Sequence, residues 1–366
     1  MTTAIKAVLL GDAMIPVDGF EQAWRKHMSA FGENLVTGDW EPDWGQLPYR
    51  RLEVEKSGPE HETVPEQIVA DGADGELLAG LFVPVSSKVM DAMPSLRVVG
   101  VSRAGVENVN VEEATKRGIA VFHVMGRNAH AVSDFAIGMM LAEARNIARA
   151  HNAIKSGEWR KTFSNSEFVP EMSGRTIGLV GFGYIGSLVA KKLSGFDVRV
   201  LAYDPYTDDD ELRANGAEPA SLETVMAESD FVSLHARLSD DNKGMIGAEQ
   251  IALMKPTAVL VNTARAGLVD EAALAEALGQ NKIAGAALDV FSTEPIPADS
   301  PFLQLDNVTL TTHIAGTTAD ALANSPFLLM DDISKLLTGG QPRFLKNPEV
   351  LQDPRFAEWL ASVKQG

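Results

Sequence analysis

The chain contains no cysteine. Disulfide staples, zinc–thiolate sites and thiol nucleophiles are therefore excluded. Positive charge is scarce: 32 Lys and Arg stand against 50 Asp and Glu, a net −18. A surface of that sign has no general affinity for nucleic acid or an anionic membrane, and an anionic ligand needs a local positive site. No hydrophobic run approaches the roughly 18 residues of a membrane span. The opening "MTTAIKAVLLGDAMIP" lacks a basic leader and a cleavage-like end. It reads as a first β-strand rather than a signal peptide, and a cytoplasmic location is expected. Histidine is rare, 7 in 366 residues. That makes one of them conspicuous: in "VTLTTHIAGTT" (Val308–Thr318) a strand-like run ends at His313 and only small residues follow.

What is present is a regular alternation of strand and helix patterns, in a chain long enough for two domains. "IKAVLL", "ELLAGLFVPV", "LRVVGVS" and "IAVFHV" read as short buried strands, with helix-like segments between the later ones. From Phe31 to Pro65 the chain is polar and rich in proline and glycine. The expectation there is a long loop or surface excursion, pinned by Trp40 and Trp44. Asn128 to about Lys155 reads as one long, largely buried helix. A second series follows: "TIGLVG", "VRVLAYD", "FVSLHA", "AVLVNT", "GAALDVF" and "VTLTTHI". After Gly316 come a further helix and a proline-containing tail. The class is α/β with parallel sheet.

The second series opens on "TIGLVGFGYIGSLVAKKLSGFDVRVLAYDP". Gly181, Gly183 and Gly186 form G-x-G-x-x-G between a buried strand and a helix, with Tyr184 and Ile185 inside the turn. A second strand ends in Asp204. In that context the first glycine permits a tight turn, the second lets backbone approach a pyrophosphate, and the third lets helix and strand pack closely. The helix N-terminus is the local positive site that a −18 protein needs. Asp204 suits ribose hydroxyls and would repel a 2′-phosphate, so NAD is expected rather than NADP.

Later strand ends carry polar residues that a buried sheet does not need: Asn262 and Arg265, then Asp289 and Glu294, then His313. Ligands of an open parallel sheet bind beyond its carboxyl ends. Arg265, Glu294 and His313 converging there fit hydride transfer to a 2-keto acid. A histidinium donates the proton the keto oxygen must gain. A carboxylate favours its charged form, and a guanidinium holds the substrate carboxylate. No metal site is expected.

The segments "GLVGFGYIGSLVAKKL", "MKPTAVLVNTARAGLVDEAAL", "AALDVFSTEP" and "TTHIAG", in this order, resemble the signatures of the D-isomer-specific 2-hydroxyacid dehydrogenases. The resemblance covers roughly Leu77 to Thr317. It implies Arg265, Glu294 and His313 as catalytic trio, with Thr263 and Asp289 at the cofactor and Asp289 beside the nicotinamide carboxamide. "VSRAGVENVN" looks like the family's substrate loop, in which backbone N–H groups around Arg103, Ala104 and Gly105 receive the substrate carboxylate. The implied fold is two doubly wound parallel-sheet domains. An NAD-binding Rossmann domain (127–316) is inserted into a flavodoxin-like substrate domain (1–126 and 317–366). The resemblance further implies a homodimer formed through the cofactor domain. The stretch after His313 is too short for the regulatory domain of the long phosphoglycerate dehydrogenases. Two other readings remain beside the dehydrogenase. One is an NAD-sensing, corepressor-like binding protein of the same fold. The other is a formate dehydrogenase-like enzyme, against which Glu294 speaks.

Overall fold

The computed structural model describes residues 4–365. The chain divides into two compact units, Met1–Arg127 with Thr318–Gly366, and Asn128–Thr317.

In the first unit, β1 (Lys6–Asp12), β2 (Asn34–Glu41), β3 (Leu77–Gly80), β4 (Val98–Val101) and β5 (Ala120–His123) form one sheet. All pairs are parallel and the order is β2-β1-β3-β4-β5, a flavodoxin-like winding. β3 and β4 are buried at every position, as strands covered on both faces must be.

The segment expected as a loop is β2 followed by a helix, Leu47–Ser57. β2 escapes a strand reading because it is an edge: it pairs with β1 from Lys6↔Asn34 to Gly11↔Asp39, and most of its residues stay partly exposed. Trp40 is buried there, with the Arg50 guanidinium carbon 4.2 Å from its ring centroid. Arg50 also bonds Glu41 and Glu62. Trp44 is 63% exposed and pins nothing.

The end of the chain belongs to this unit. Helix Ala319–Leu337 lays Leu329 and Ile333 over Gly100 of β4. Asn347 then bonds the edge of β5, accepting from Val121 N–H at 2.8 Å and donating to the Ile119 carbonyl at 2.9 Å. The tail is not loose: it closes with a helix, Pro354–Gln365, that adds Phe356 and Val363 to the core.

The second unit is built on β6 (Thr176–Val180), β7 (Arg199–Tyr203), β8 (Glu218–Pro219), β9 (Phe231–Leu234), β10 (Val259–Asn262), β11 (Gly285–Leu288) and β12 (Val308–Leu310). Its order is β12-β11-β10-β9-β6-β7-β8, again all parallel. The winding reverses between β6 and β9, which is where a Rossmann sheet opens its dinucleotide crevice.

Two expectations are corrected here. The single long helix is two, Ala129–Ala144 and Ile147–Lys155. Between them Asn146 takes a left-handed conformation, φ 57°, which asparagine tolerates better than most residues. Its side chain is held at that break by Asn165 (2.6 Å) and Arg149 (2.8 Å). The last strand does not reach His313 but stops at Leu310. Among the described residues no helix is long and apolar enough to cross a membrane.

Candidate active site

In the second unit the glycine turn follows β6 directly. Gly181 has φ 97°, and a Cβ there would lie 2.4 Å from Ala236 N, so only glycine fits. Gly186 has no room either, since its Cβ would meet the Gly181 carbonyl at 2.2 Å. Gly183 is different. Its φ is −75° and a Cβ would meet nothing within 4 Å. Neither backbone nor packing requires a glycine there, and the space it leaves open lies at the start of helix Tyr184–Leu193. That is where anions bind a helix. Tyr184 and Ile185 form the first turn of this helix.

Asp204, just beyond β7, braces the turn: one carboxylate oxygen accepts from Phe182 N–H at 2.6 Å and the other from Tyr206 N–H at 2.8 Å. Each oxygen keeps a further lone pair for a ribose hydroxyl. Thr263, after β10, is buried, and its Oγ1 has no partner among the described residues. Open space at Gly183, a free lone pair on each Asp204 oxygen and an unpaired buried hydroxyl together fit a dinucleotide.

His313 lies three residues past the end of β12, at φ 56°. A β-unbranched L-residue pays roughly 1–2 kcal/mol for that conformation. Asp289, fully buried after β11, holds it. The Asp289 carboxylate accepts from Thr311 Oγ1 (2.6 Å), Ile314 N–H (3.0 Å) and Ala315 N–H (2.9 Å), bracketing the histidine on both sides. Sequence reasoning assigned Asp289 to the cofactor and did not foresee this work within the chain.

His313 Nδ1 is 2.8 Å from Glu294 Oε2. An ionised carboxylate only accepts, so Nδ1 carries the proton and Nε2 is the nitrogen left for exchange. Partial burial raises the Glu294 pKa, but the bond from His313, the bond from Phe291 N–H and the charges of His313 and Arg265 outweigh it. The net shift is downward. Arg265 is exposed and makes a bond to the Ala264 carbonyl at 2.7 Å. Asn262 shapes its turn, donating to the Arg265 carbonyl and accepting from Ala264 N–H. The structure thus brings the bonded His313–Glu294 pair and Arg265 to one edge of the second unit's sheet.

His235 was missed. It follows β9 and packs against the glycine turn, 3.7 Å from where a Gly186 Cβ would stand. Both its ring nitrogens are buried without a partner among the described residues, and burial lowers its pKa to about 4. The signal was the one that drew attention to His313, an imidazole closing a buried strand.

In the first unit, Arg103, Ala104 and Gly105 form the turn after β4. Arg103 carbonyl accepts from Val124 N–H, and Ala104 carbonyl lies 2.7 Å from His123 Nδ1. The Arg103 side chain reaches Glu55 at 2.7 Å.

A profile described as "D-isomer specific 2-hydroxyacid dehydrogenase, NAD binding domain" matches residues 137–315. A glyoxylate reductase of Thermofilum pendens is 42% identical over 279 residues, 75% of this chain and 82% of that protein. A D-3-phosphoglycerate dehydrogenase of Archaeoglobus fulgidus is 38% identical over 256 residues, 70% of this chain and 48% of that protein. The crystal structure of a D-isomer specific 2-hydroxyacid dehydrogenase from Lactobacillus delbrueckii ssp. bulgaricus, in its NAD-complexed form, aligns with a TM-score of 0.73. It covers 93% of this chain and 100% of its own at 23% identity, a likeness of fold.

Proposed function

The chain belongs to the D-isomer specific 2-hydroxyacid dehydrogenase family, and on that premise we propose that Arg265, Glu294 and His313 interconvert 2-keto acids and D-2-hydroxy acids with NAD. The observation that carries this assignment is the His313–Glu294 bond with Arg265 charge acting on the same carboxylate.

Bound NAD supplies the hydride in one direction and accepts it in the other. The chain's own residues do the rest. Gly183 and the helix it opens receive the pyrophosphate, with Tyr184 and Ile185 in the same turn. Asp204 takes the ribose hydroxyls, and Thr263 offers its unpaired hydroxyl. Arg265 binds the substrate carboxylate and polarises the keto group. His313 gives its Nε2 proton to the carbonyl oxygen as carbon gains the hydride, and takes it back in oxidation. Glu294 accepts the Nδ1 hydrogen bond and fixes the ring. Backbone N–H groups of Arg103–Gly105, in the substrate-binding first unit, hold the acid's carboxylate. The protein acts as a homodimer through the second unit, where Ile147 and Ile154 expose apolar surface on one helix.

The test is NADH oxidation with glyoxylate and hydroxypyruvate. Replacing His313 by Gln is expected to lower turnover about 10²–10⁴-fold, the usual contribution of general acid catalysis, while NADH still binds. Normal turnover by this variant would sink the assignment. NADH binding without turnover of any keto acid by the unaltered chain would favour the sensor reading.

A further inference from the structure

We propose that Arg51, Arg103 and Arg127 form a second anion site around Phe82 in the first unit, selecting keto acids that carry a phosphate or carboxylate at their far end. The proposal rests on the keto-acid reading above and names its substrate class.

Phe82 follows β3 and is buried. The guanidinium carbon of Arg103 lies 4.8 Å from its ring centroid and that of Arg51 lies 5.3 Å away. One aromatic face thus gathers two cations. Burial, together with the charges of Arg103 and Arg51, lowers the pKa of Arg127, so its guanidinium stands within electrostatic reach of theirs. Collecting three like charges costs energy, and in a chain of net −18 the surplus of carboxylates makes full neutralisation easy. Among the described residues they are not neutralised. Glu55 Oε1 serves two of the arginines, at 2.7 Å from Arg103 and 3.5 Å from Arg51, and Glu107 adds a 3.3 Å contact to Arg103. Two carboxylates therefore face three guanidiniums.

Donors are left over. Arg103 Nη1 is buried with no acceptor among the described residues. Arg127 makes a long 3.4 Å bond to Ser325 Oγ. A buried donor without an acceptor is costly, and a self-contained ion-pair network has no use for it. An anion from outside supplies what is missing, and guanidinium forks suit phosphate and carboxylate equally.

The place is also right. Phe82 and Arg103 stand at the carboxyl ends of adjacent strands β3 and β4, where an open α/β sheet receives ligands. Backbone and side chain of Arg103 have separate tasks here: N–H groups of its turn suit the reacting end of the acid, and its guanidinium suits the far end. Arg51 comes from helix Leu47–Ser57, in the segment that reads as a loop from sequence alone. Arg50 and Arg51 are neighbours with different roles, since Arg50 is consumed by Glu41 and Glu62.

The experiment compares two substrate pairs in NADH oxidation by the full chain. Hydroxypyruvate and phosphohydroxypyruvate differ by a phosphate; glyoxylate and oxaloacetate differ by a carboxymethyl group. We expect the acid with the extra anionic group in at least one pair to show the higher kcat/KM, by about tenfold or more, the size of one charged hydrogen bond. Which pair responds identifies the anion. Arg51→Gln should raise KM for that acid by about tenfold at unchanged kcat, leave glyoxylate kinetics alone, and be partly rescued by Arg51→Lys. Arg51 is half-exposed, so folding is not at stake. Equal kcat/KM within both pairs, or an Arg51→Gln loss shared by glyoxylate, overturns the anion site while the dehydrogenase reading stands. If none of the four acids oxidises NADH, that reading falls and takes the site with it.

Discussion

Two carboxylates govern His313, and they do so by different physics. Asp289 acts through geometry, since its three bonds fix a left-handed residue whose backbone would otherwise relax. Glu294 acts through charge as well as position. Its own pKa lies below the ordinary carboxylate value, so it remains ionised throughout the neutral range and well into acid. Glu294→Gln keeps an acceptor at Nδ1 but removes the charge, and Glu294→Ala removes both. Keto-acid reduction by Glu294→Ala is expected to fall about 10–100-fold in kcat, the size of a charged hydrogen bond, with NADH affinity unchanged. Steady-state kinetics beside an NADH titration decide it, and normal turnover by Glu294→Ala would show that the bond to His313 has no part in the reaction.

The glycine turn makes a prediction at the scale of an element. Gly186→Ala drives a methyl against a backbone carbonyl, and should cost about 1–3 kcal/mol of stability, as overpacking does. Gly183→Ala puts its methyl in open space at an ordinary φ, so melting without cofactor should shift by no more than about 0.5 kcal/mol. Its NADH affinity should nonetheless fall about tenfold or more, because the methyl stands where the pyrophosphate must approach. Thermal melts and NADH fluorescence titrations separate the two; a Gly183→Ala variant that binds NADH normally would refute the reading. This turn was legible because strand, glycine spacing and helix reinforce one another within thirty residues. So were the inner strands, whose apolar runs need no partner to be recognised. β2 was not, because an edge strand with one partner carries no continuous apolar run. The break at Asn146 was hidden too, since its cause is Asn165, distant in sequence. At the carboxyl edge of the second sheet, residue types at strand ends single out Arg265, Glu294 and His313. The bonds of Asp289, and the arginines around Phe82, depend on which side chains meet in space.

Across the whole molecule, two buried groups set opposite responses to acid. Burial raises Asp12, at the end of β1, from 3.8 to about 6, with the Asp39 charge adding to the rise. The folded first unit therefore holds a proton that the unfolded chain has released. Stability is lost as pH climbs from about 4 to 6, by roughly 3 kcal/mol. His235 runs the other way. With its pKa lowered to about 4, it stays neutral in the fold while the unfolded chain is protonated. The second unit loses roughly 3 kcal/mol as pH falls from 6.5 to 4. Asp12→Asn, which keeps an acceptor for Met14 and Ile15 N–H, should stabilise the first unit by about 1–3 kcal/mol at pH 7.5 and bring no gain at pH 4. Urea melts at the two pH values check it; equal effects at both would contradict the linkage. The division of the chain also has a consequence for the order of its making. Residues 128–317 leave the ribosome as one continuous stretch holding every strand of their sheet. The sheet begun earlier must wait, with the β4 face bare, for Leu329 and Ile333 to arrive. During that interval its apolar surface is exposed, the condition in which partly folded chains aggregate. The half synthesised first is the half completed last.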